Sequence, residues 1–510
     1  MNKDFSTLCA CLCAIAGATL YALLAFGVIF PPDYPYFGTD IYNAYFYRLL
    51  EGRFDLPVRM LRYEGHYFAD GVGLLYHGIA PLLTRAVLYP FVTLNQFPTA
   101  AFSIWLWSVV GTAIYHLSVV QVMHKFVGPI AGRMSVFWGM MIGIGIWICS
   151  PGLLLSTNLA LYHEPISIAY AAMALAIYLM LRFALFGMPM KYVLIPAALL
   201  AGLLIHSRPH MAVGLYAGIA TLMCLSLFRR SDRSPISVLS SLILLAALGG
   251  SFLQLNAMRF GSMTETHGHF ETPDSGGGTQ YGVAFFESDY DDYRRKMAFV
   301  EHERFHPWRM IPNLGVYVFD HPVYANHVGT IHRKLTESIS GFGRIEVPKI
   351  GLMYLWPAWI VLMVVGLCYG RPRFVALERA LPAVVTAGVA AGMLLSYPTI
   401  TLRYHFELWP LVVVLCLLTF PGLIKEYGPQ SLTNSFVLKL SVVLLVTGAI
   451  FSGLAALWYT YVFEMAPGTF HEAWDANRCM TEVQEKGFSR ANGIKLCIDP
   501  GRIYEVSSEG

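Results

Sequence analysis

The chain has 510 residues, with 35 Lys and Arg against 32 Asp and Glu, so that 13% of positions are charged and the net charge is +3. An average soluble protein carries roughly 25% charged residues, whereas here apolar types make up 56% and the mean hydropathy is +0.54. This excludes a cytosolic enzyme, a disordered chain and a disulfide-stapled secreted domain, and the small dispersed charge offers nothing to nucleic acid. A multi-pass membrane protein remains.

About 20 apolar residues in helical form cross a bilayer core of ~30 Å. Eleven stretches meet that pattern, at 8–30, 98–122, 134–156, 164–184, 192–206, 211–228, 236–256, 350–369, 380–397, 404–424 and 437–462. They predict an all-α polytopic protein of about eleven transmembrane helices. The fifth and sixth stretches share the hinge His206-Ser207-Arg208-Pro209-His210, so the count is good to one either way. The first stretch is too long for a signal-peptide core and lacks a small-residue cleavage site, which makes it a retained helix.

After the first span the chain reads Tyr36-Phe37-Gly38-Thr39-Asp40-Ile41-Tyr42-Asn43. Gly38 and Thr39 predict a turn and a helix start, followed to about Gly52 by a Tyr- and Phe-rich helix suited to the headgroup zone. Asp40 is thereby held at the membrane boundary, where capping alone is worth ~0.3–1 kcal/mol. The stretch 71–96, interrupted by Gly73, Pro81, Arg85 and Pro90, reads as a membrane-surface or re-entrant helix.

The next outer loop is short and ends Tyr162-His163-Glu164-Pro165. Glu164 before a proline is a good helix start. At that depth, however, a carboxylate is costly unless it is paired, bound to a cation or open to a water-filled cavity. Basic groups recur at outer span ends: Arg208 in the hinge, Arg259 in Arg259-Phe260-Gly261-Ser262, and Arg403 in Leu402-Arg403-Tyr404-His405-Phe406-Glu407. A guanidinium fits phosphate in bidentate fashion, and it also snorkels to headgroups.

Lys125, Arg133, Arg182, Lys191, Arg229, Arg230, Arg233, Arg371, Arg373, Arg379, Lys425 and Lys439 all fall between spans or at span ends on one side. By the positive-inside rule that side is cytoplasmic. The N-terminus is then inside, and the loops 31–97, 157–163 and 257–349 lie outside with the C-terminus. The 257–349 loop holds seven of the sixteen histidines and the run Ser275-Gly276-Gly277-Gly278, which reads as the hinge of a lid. Seven cysteines sit in or beside apolar spans, whereas Cys479 and Cys497 share the outer tail, where an oxidising compartment would let them form a disulfide. The expected organisation is a transmembrane domain over 1–464 and a short outer tail over 465–510.

With its acids and arginines at one face, this layout resembles the GT-C superfamily of polytopic glycosyltransferases, such as the protein O-mannosyltransferases and lipid A aminoarabinose transferases. The resemblance covers about residues 1–425 and rests on Asp40 before an interfacial helix, Glu164 in the second outer loop, Arg403 near a late span, and the Arg259-Phe260-Gly261-Ser262 stretch. It implies inverting transfer of a sugar from a polyprenyl-phosphate-linked donor to a glycan, lipid or protein acceptor, in a bacterial inner membrane with the site facing the periplasm. Asp40 would be the general base and Glu164 a second acid. Arg403, Arg208 and Arg259 would meet the donor phosphate, with Tyr42, Asn43, His163, His405 and Glu407 around the sugar or acceptor. A divalent cation, if one is used, would sit among Asp40, Glu164 and His163. The chain departs from the family in having Asp40 alone rather than in an acidic pair, and in showing one Glu without a DxD in the second outer loop, which leaves metal use open. The tail is also too small for a typical carbohydrate-binding domain.

Two other readings stand beside this one. A transporter or flippase would place ionisable residues near the bilayer midplane on broken helices; here they cluster at one face, although the 192–228 hairpin fits such a protein. An O-antigen ligase or polymerase shares the chemistry with a different helix arrangement.

Overall fold

The computed structural model describes residues 3–61, 64–68, 71–128, 133–228, 234–265, 278–282, 303–320, 331, 334, 344–345, 349–370 and 377–464. In chain order the helices are α1 (Lys3–Ala25), α2 (Ile41–Leu50), α3 (Val58–Leu61), α4 (Leu82–Leu88), α5 (Thr99–Phe126), α6 (Arg133–Trp147), α7 (Pro151–Leu155), α8 (His163–Phe186) and α9 (Lys191–Ile205). They continue with α10 (Pro209–Phe228), α11 (Pro235–Phe260), α12 (Met310–Phe319), α13 (Leu352–Leu355), α14 (Pro357–Tyr369), α15 (Leu377–Leu395), α16 (His405–Tyr427) and α17 (Ser435–Thr460).

Every one of the eleven apolar stretches carries a helix. Among the described residues eight helices are long and apolar enough to cross a membrane, while α6, α9 and α14 are apolar but shorter. Two breaks explain part of the shortening. Pro151 begins α7 at its first turn after an extended Ser150, which splits the third stretch. Pro357 does the same after Trp356, which separates α13 from α14.

The bundle is organised around α16 and α8, whose most apolar stretches are 89% and 72% buried, against 11% for α11 and 17% for α1. Small residues let neighbours approach α8 closely, and Ala169, Ala172, Ala174 and Ala176 are all buried there. α5 packs along α8, α9 against α11, α10 against α15, and α14 against α16. Leu239, Leu242, Ile243 and Leu253 on α11 face outward, as suits a lipid-facing helix.

A second, smaller core lies beneath α2, where Tyr42, Tyr45 and Phe46 meet Leu56, Leu75 and Leu161. The segment between α2 and α5 is less helical than its sequence suggests. It forms β1 (Asp55–Leu56), β2 (Gly65–Tyr67) and β3 (Gly73–Leu75), with α4 the one helix within 71–96. β4 (Gln280–Tyr281), from the 257–349 loop, completes an antiparallel sheet in the order β1-β3-β2-β4, with His66 opposite Tyr281. A parallel pair, β5 (Arg344–Ile345) and β6 (Thr399–Ile400), ties the same loop to the start of α16. Of the loop's seven histidines only His306 lies among the described residues; Ser275 to Gly277, Cys479, Cys497 and the tail 465–510 lie outside them.

Candidate functional site

The helix ends that the charge pattern assigns to the outside surround a cavity of about 450 Å³. Its wall draws on the start of α10, the end of α11, the end of α15, the start of α16, the loop before α8, and the sheet. Pockets of this size suit small-molecule ligands.

The hinge after α9 supplies its cationic side. Pro209 opens α10 at the N1 position, which points the preceding Arg208 and the following His210 toward α16. Arg208 Nε donates to Glu407 Oε1 at 2.9 Å, and His210 Nε2 lies 2.5 Å from Glu407 Oε2. Glu407 is 1% exposed, so its charge is held by these partners rather than by water. Arg403 stands one turn earlier, in a 3₁₀ turn capped by Thr401, with its guanidinium 4.6 Å from the centre of the Tyr162 ring and 5.3 Å from that of Phe463. Phe463 takes φ +66°, a backbone region that L residues rarely adopt, with its carbonyl accepting from the Phe37 amide at 2.9 Å.

His77 lies in the same wall with Nδ1 unpartnered among the described residues. Burial, followed by the charges of Arg208, Arg403 and Arg259, pushes its pKa down to about 3, so its imidazole is neutral at ordinary pH. Of these three guanidiniums Arg208 and Arg403 line the cavity, with Arg208 also paired to Glu407.

The other residues singled out by sequence fall around this cavity and not in its wall. Arg259 donates to Leu75 O at 3.0 Å and Asn256 Oδ1 at 2.8 Å, tying α11 to β3, while its neighbours Asn256 and Phe260 line the cavity. His405 Nδ1 lies 3.2 Å from Thr401 O, with its ring edge-on to Tyr317. His163 is held at both nitrogens, Nδ1 by Ala160 O at 3.2 Å and Nε2 by Tyr459 Oη at 2.8 Å. Glu164 forms a buried ion pair with Arg85, whose Nε donates to Asn43 Oδ1 at 3.0 Å and whose guanidinium lies 5.6 Å from the centre of the Tyr42 ring. Asn43 in turn donates to Leu94 O at 3.0 Å.

Asp40 is exposed at the N-cap of α2 and makes no side-chain capping bond. Gly38 sets its position. At φ +69° it makes the turn, and a Cβ there would come within 2.8 Å of Leu161. The Leu161 amide donates to Phe37 O at 3.0 Å, which joins the Asp40 turn to the loop carrying Tyr162. Asp40 also bears electrostatically on Glu164. As arranged, Asp40, Glu164 and His163 do not make a cation site, because Arg85 and Tyr459 already occupy the latter two. Among the described residues no three His, Cys, Asp or Glu side chains converge.

Sequence reading missed Arg85, His77, Glu64, Tyr76 and Tyr281. Arg85 carried a usable signal, because a charge inside Leu82-Leu83-Thr84-Arg85-Ala86-Val87-Leu88 demands a buried partner. The others converge only through the sheet.

No protein-family model matches the chain, and no curated protein matches its sequence. Among solved structures the chain is similar to the apo form of the Archaeoglobus fulgidus oligosaccharyltransferase, with a TM-score of 0.43 and 11% identity. The match covers 98% of this chain and 60% of that one, so the chain spans less than two thirds of that protein's length. Correspondence at this level is loose, and the chemistry has to be read from the side chains.

Proposed function

We propose that this protein is a GT-C-type membrane glycosyltransferase that moves a sugar from a polyprenyl-phosphate-linked donor to an acceptor at the outer membrane face, with inversion. The observation that carries the reading is the cavity at the outer helix ends, where Arg208 and Arg403 share a wall with neutral His77 and aromatic rings. A phosphodiester headgroup suits the guanidiniums, and the prenyl chain suits the apolar helices below. Asp40, on the turn joined to that wall, takes the proton of the attacking hydroxyl. The acceptor oxygen bonds to the anomeric carbon as the carbon–phosphate oxygen bond breaks, and the electron pair leaves on the polyprenyl phosphate. Arg403 and Arg208 stabilise that growing charge in a site poor in water. A single displacement inverts the anomeric centre. In a bacterium this chemistry would face the periplasm.

The test uses full-length protein in detergent with a panel of polyprenyl-phosphate pentoses and hexoses, reading release of polyprenyl phosphate and formation of glycoside. Asp40→Asn should be made at normal yield yet lose at least ~10²-fold in rate, the usual scale for a general base. Normal yield with more than about a tenth of wild-type rate would remove Asp40 from the chemistry. Absence of any sugar transfer in detergent, with solute movement in sealed vesicles, would favour a transporter.

A further inference from the structure

The cavity wall has a second character on the side built by the sheet. Glu64, just before β2, lines the cavity and accepts a hydrogen bond from Tyr76 Oη at 3.1 Å. The Tyr76 ring is stacked on His66, with centroids 4.7 Å apart and planes 8° apart, and Tyr281 stands edge-on to the same imidazole at 5.9 Å. His66 is fully buried and acts as the spacer that sets the two tyrosines. Because Tyr281 lies on β4, the first outer loop and the large outer loop build this side together.

We propose that this side of the cavity is a saccharide-binding acceptor subsite, in which Glu64 accepts hydrogen bonds from acceptor hydroxyls and Tyr76 and Tyr281 support the ring. The inference rests on the transferase reading for the word acceptor. An ionised carboxylate offers about four acceptor positions and no donor, and among the described residues Tyr76 supplies one bond. Its ligand must therefore be rich in donors. A lipid chain would strip water from Glu64 without replacing its hydrogen bonds, and an ionised phosphate or acid has no donor to offer a carboxylate. A peptide added as a strand next to Glu64 would need a free edge on β2, but both edges of β2 are already paired, to β3 and β4. A neutral sugar supplies hydroxyl donors and a C–H face for aromatic rings.

The subsite and the donor site are separable. Purified full-length protein, fluorescently labelled, is applied to an array of neutral oligosaccharides, and the best binder is titrated against wild type, Glu64→Gln, Tyr76→Phe and Arg403→Ala. Wild type should bind, Glu64→Gln should weaken binding by about tenfold or more, as for a lost bond to a charged group, and Tyr76→Phe should fall between the two. Arg403→Ala should stay within about threefold. Failure of wild type to bind any neutral saccharide overturns the proposal, as does Glu64→Gln or Tyr76→Phe binding at the wild-type level with Arg403→Ala impaired. Release of polyprenyl phosphate from a lipid-linked sugar is followed separately. Saccharide binding without donor use would defeat the transferase reading and leave the subsite standing; donor use without saccharide binding would do the reverse.

Discussion

Removing the Arg85 side chain leaves Glu164 buried beside α2 with its main counter-charge gone. Breaking one half of a buried pair typically costs ~3–5 kcal/mol, whereas replacing both halves with apolar groups is often neutral. Arg85→Ala should therefore lower the thermal midpoint in detergent strongly, and Arg85→Met combined with Glu164→Leu should recover most of it. Recovery of stability without activity would assign the pair to positioning α2 and Asp40. Sequence identified Glu164 as a costly carboxylate but not its partner, because contacts 79 positions apart leave no local pattern. A second expectation concerns His77, whose pKa falls from 6.5 to about 3 on folding. The unfolded chain then binds the extra proton, so the stability contributed by neutral His77 is complete above about pH 6.5 and is lost as pH falls toward about 3. Melting of wild type and His77→Gln between pH 7.5 and 5 should show the wild type losing more, by roughly 1.4 kcal/mol per pH unit once below the unfolded value. Parallel loss in both would place the acid sensitivity elsewhere.

At the scale of elements, the first outer loop docks on the α9–α10 hinge through a contact that only glycine allows. A Cβ on Gly78 would lie 2.0 Å from the His206 carbonyl oxygen, which also accepts the Ala80 amide at 2.9 Å. Gly78→Ala should push the loop off the hinge, disturb the Arg208–Glu407–His210 group nearby, and lower both stability and donor affinity. Unchanged melting and donor affinity would show that the loop adjusts freely. The helices were legible because eleven apolar runs need no knowledge of their neighbours, and α2 was legible from Gly38, Thr39 and the aromatic run after them. The sheet was not: strands of two or three residues carry too little alternation, and β4 lies more than 200 positions from β2. For the same reason Arg208, Arg403 and Glu407 could be named from sequence, as polar residues at apolar span ends, while Glu64 and Tyr281 could not.

At the scale of the whole molecule, the charge pattern and the cavity agree in direction. Lys425 lies at the end of α16 opposite the cavity, and Lys191 at the end of α9 opposite the hinge that carries Arg208. The candidate acids and arginines thus gather at one boundary, where the proposed lipid-linked donor would present its phosphate, and the candidate base, leaving-group site and aromatic wall sit on three segments held by one bundle. The central claim is that Arg403 meets that phosphate. Its most direct test is donor-titrated kinetics of wild type, Arg403→Lys and Arg403→Ala with a purified polyprenyl-phosphate sugar. Lys keeps the charge but not the fork, and the phosphate gains charge as the bond breaks, so kcat and donor affinity should fall together, with Lys between wild type and Ala and acceptor KM unmoved. Identical donor dependence in all three proteins would contradict the account.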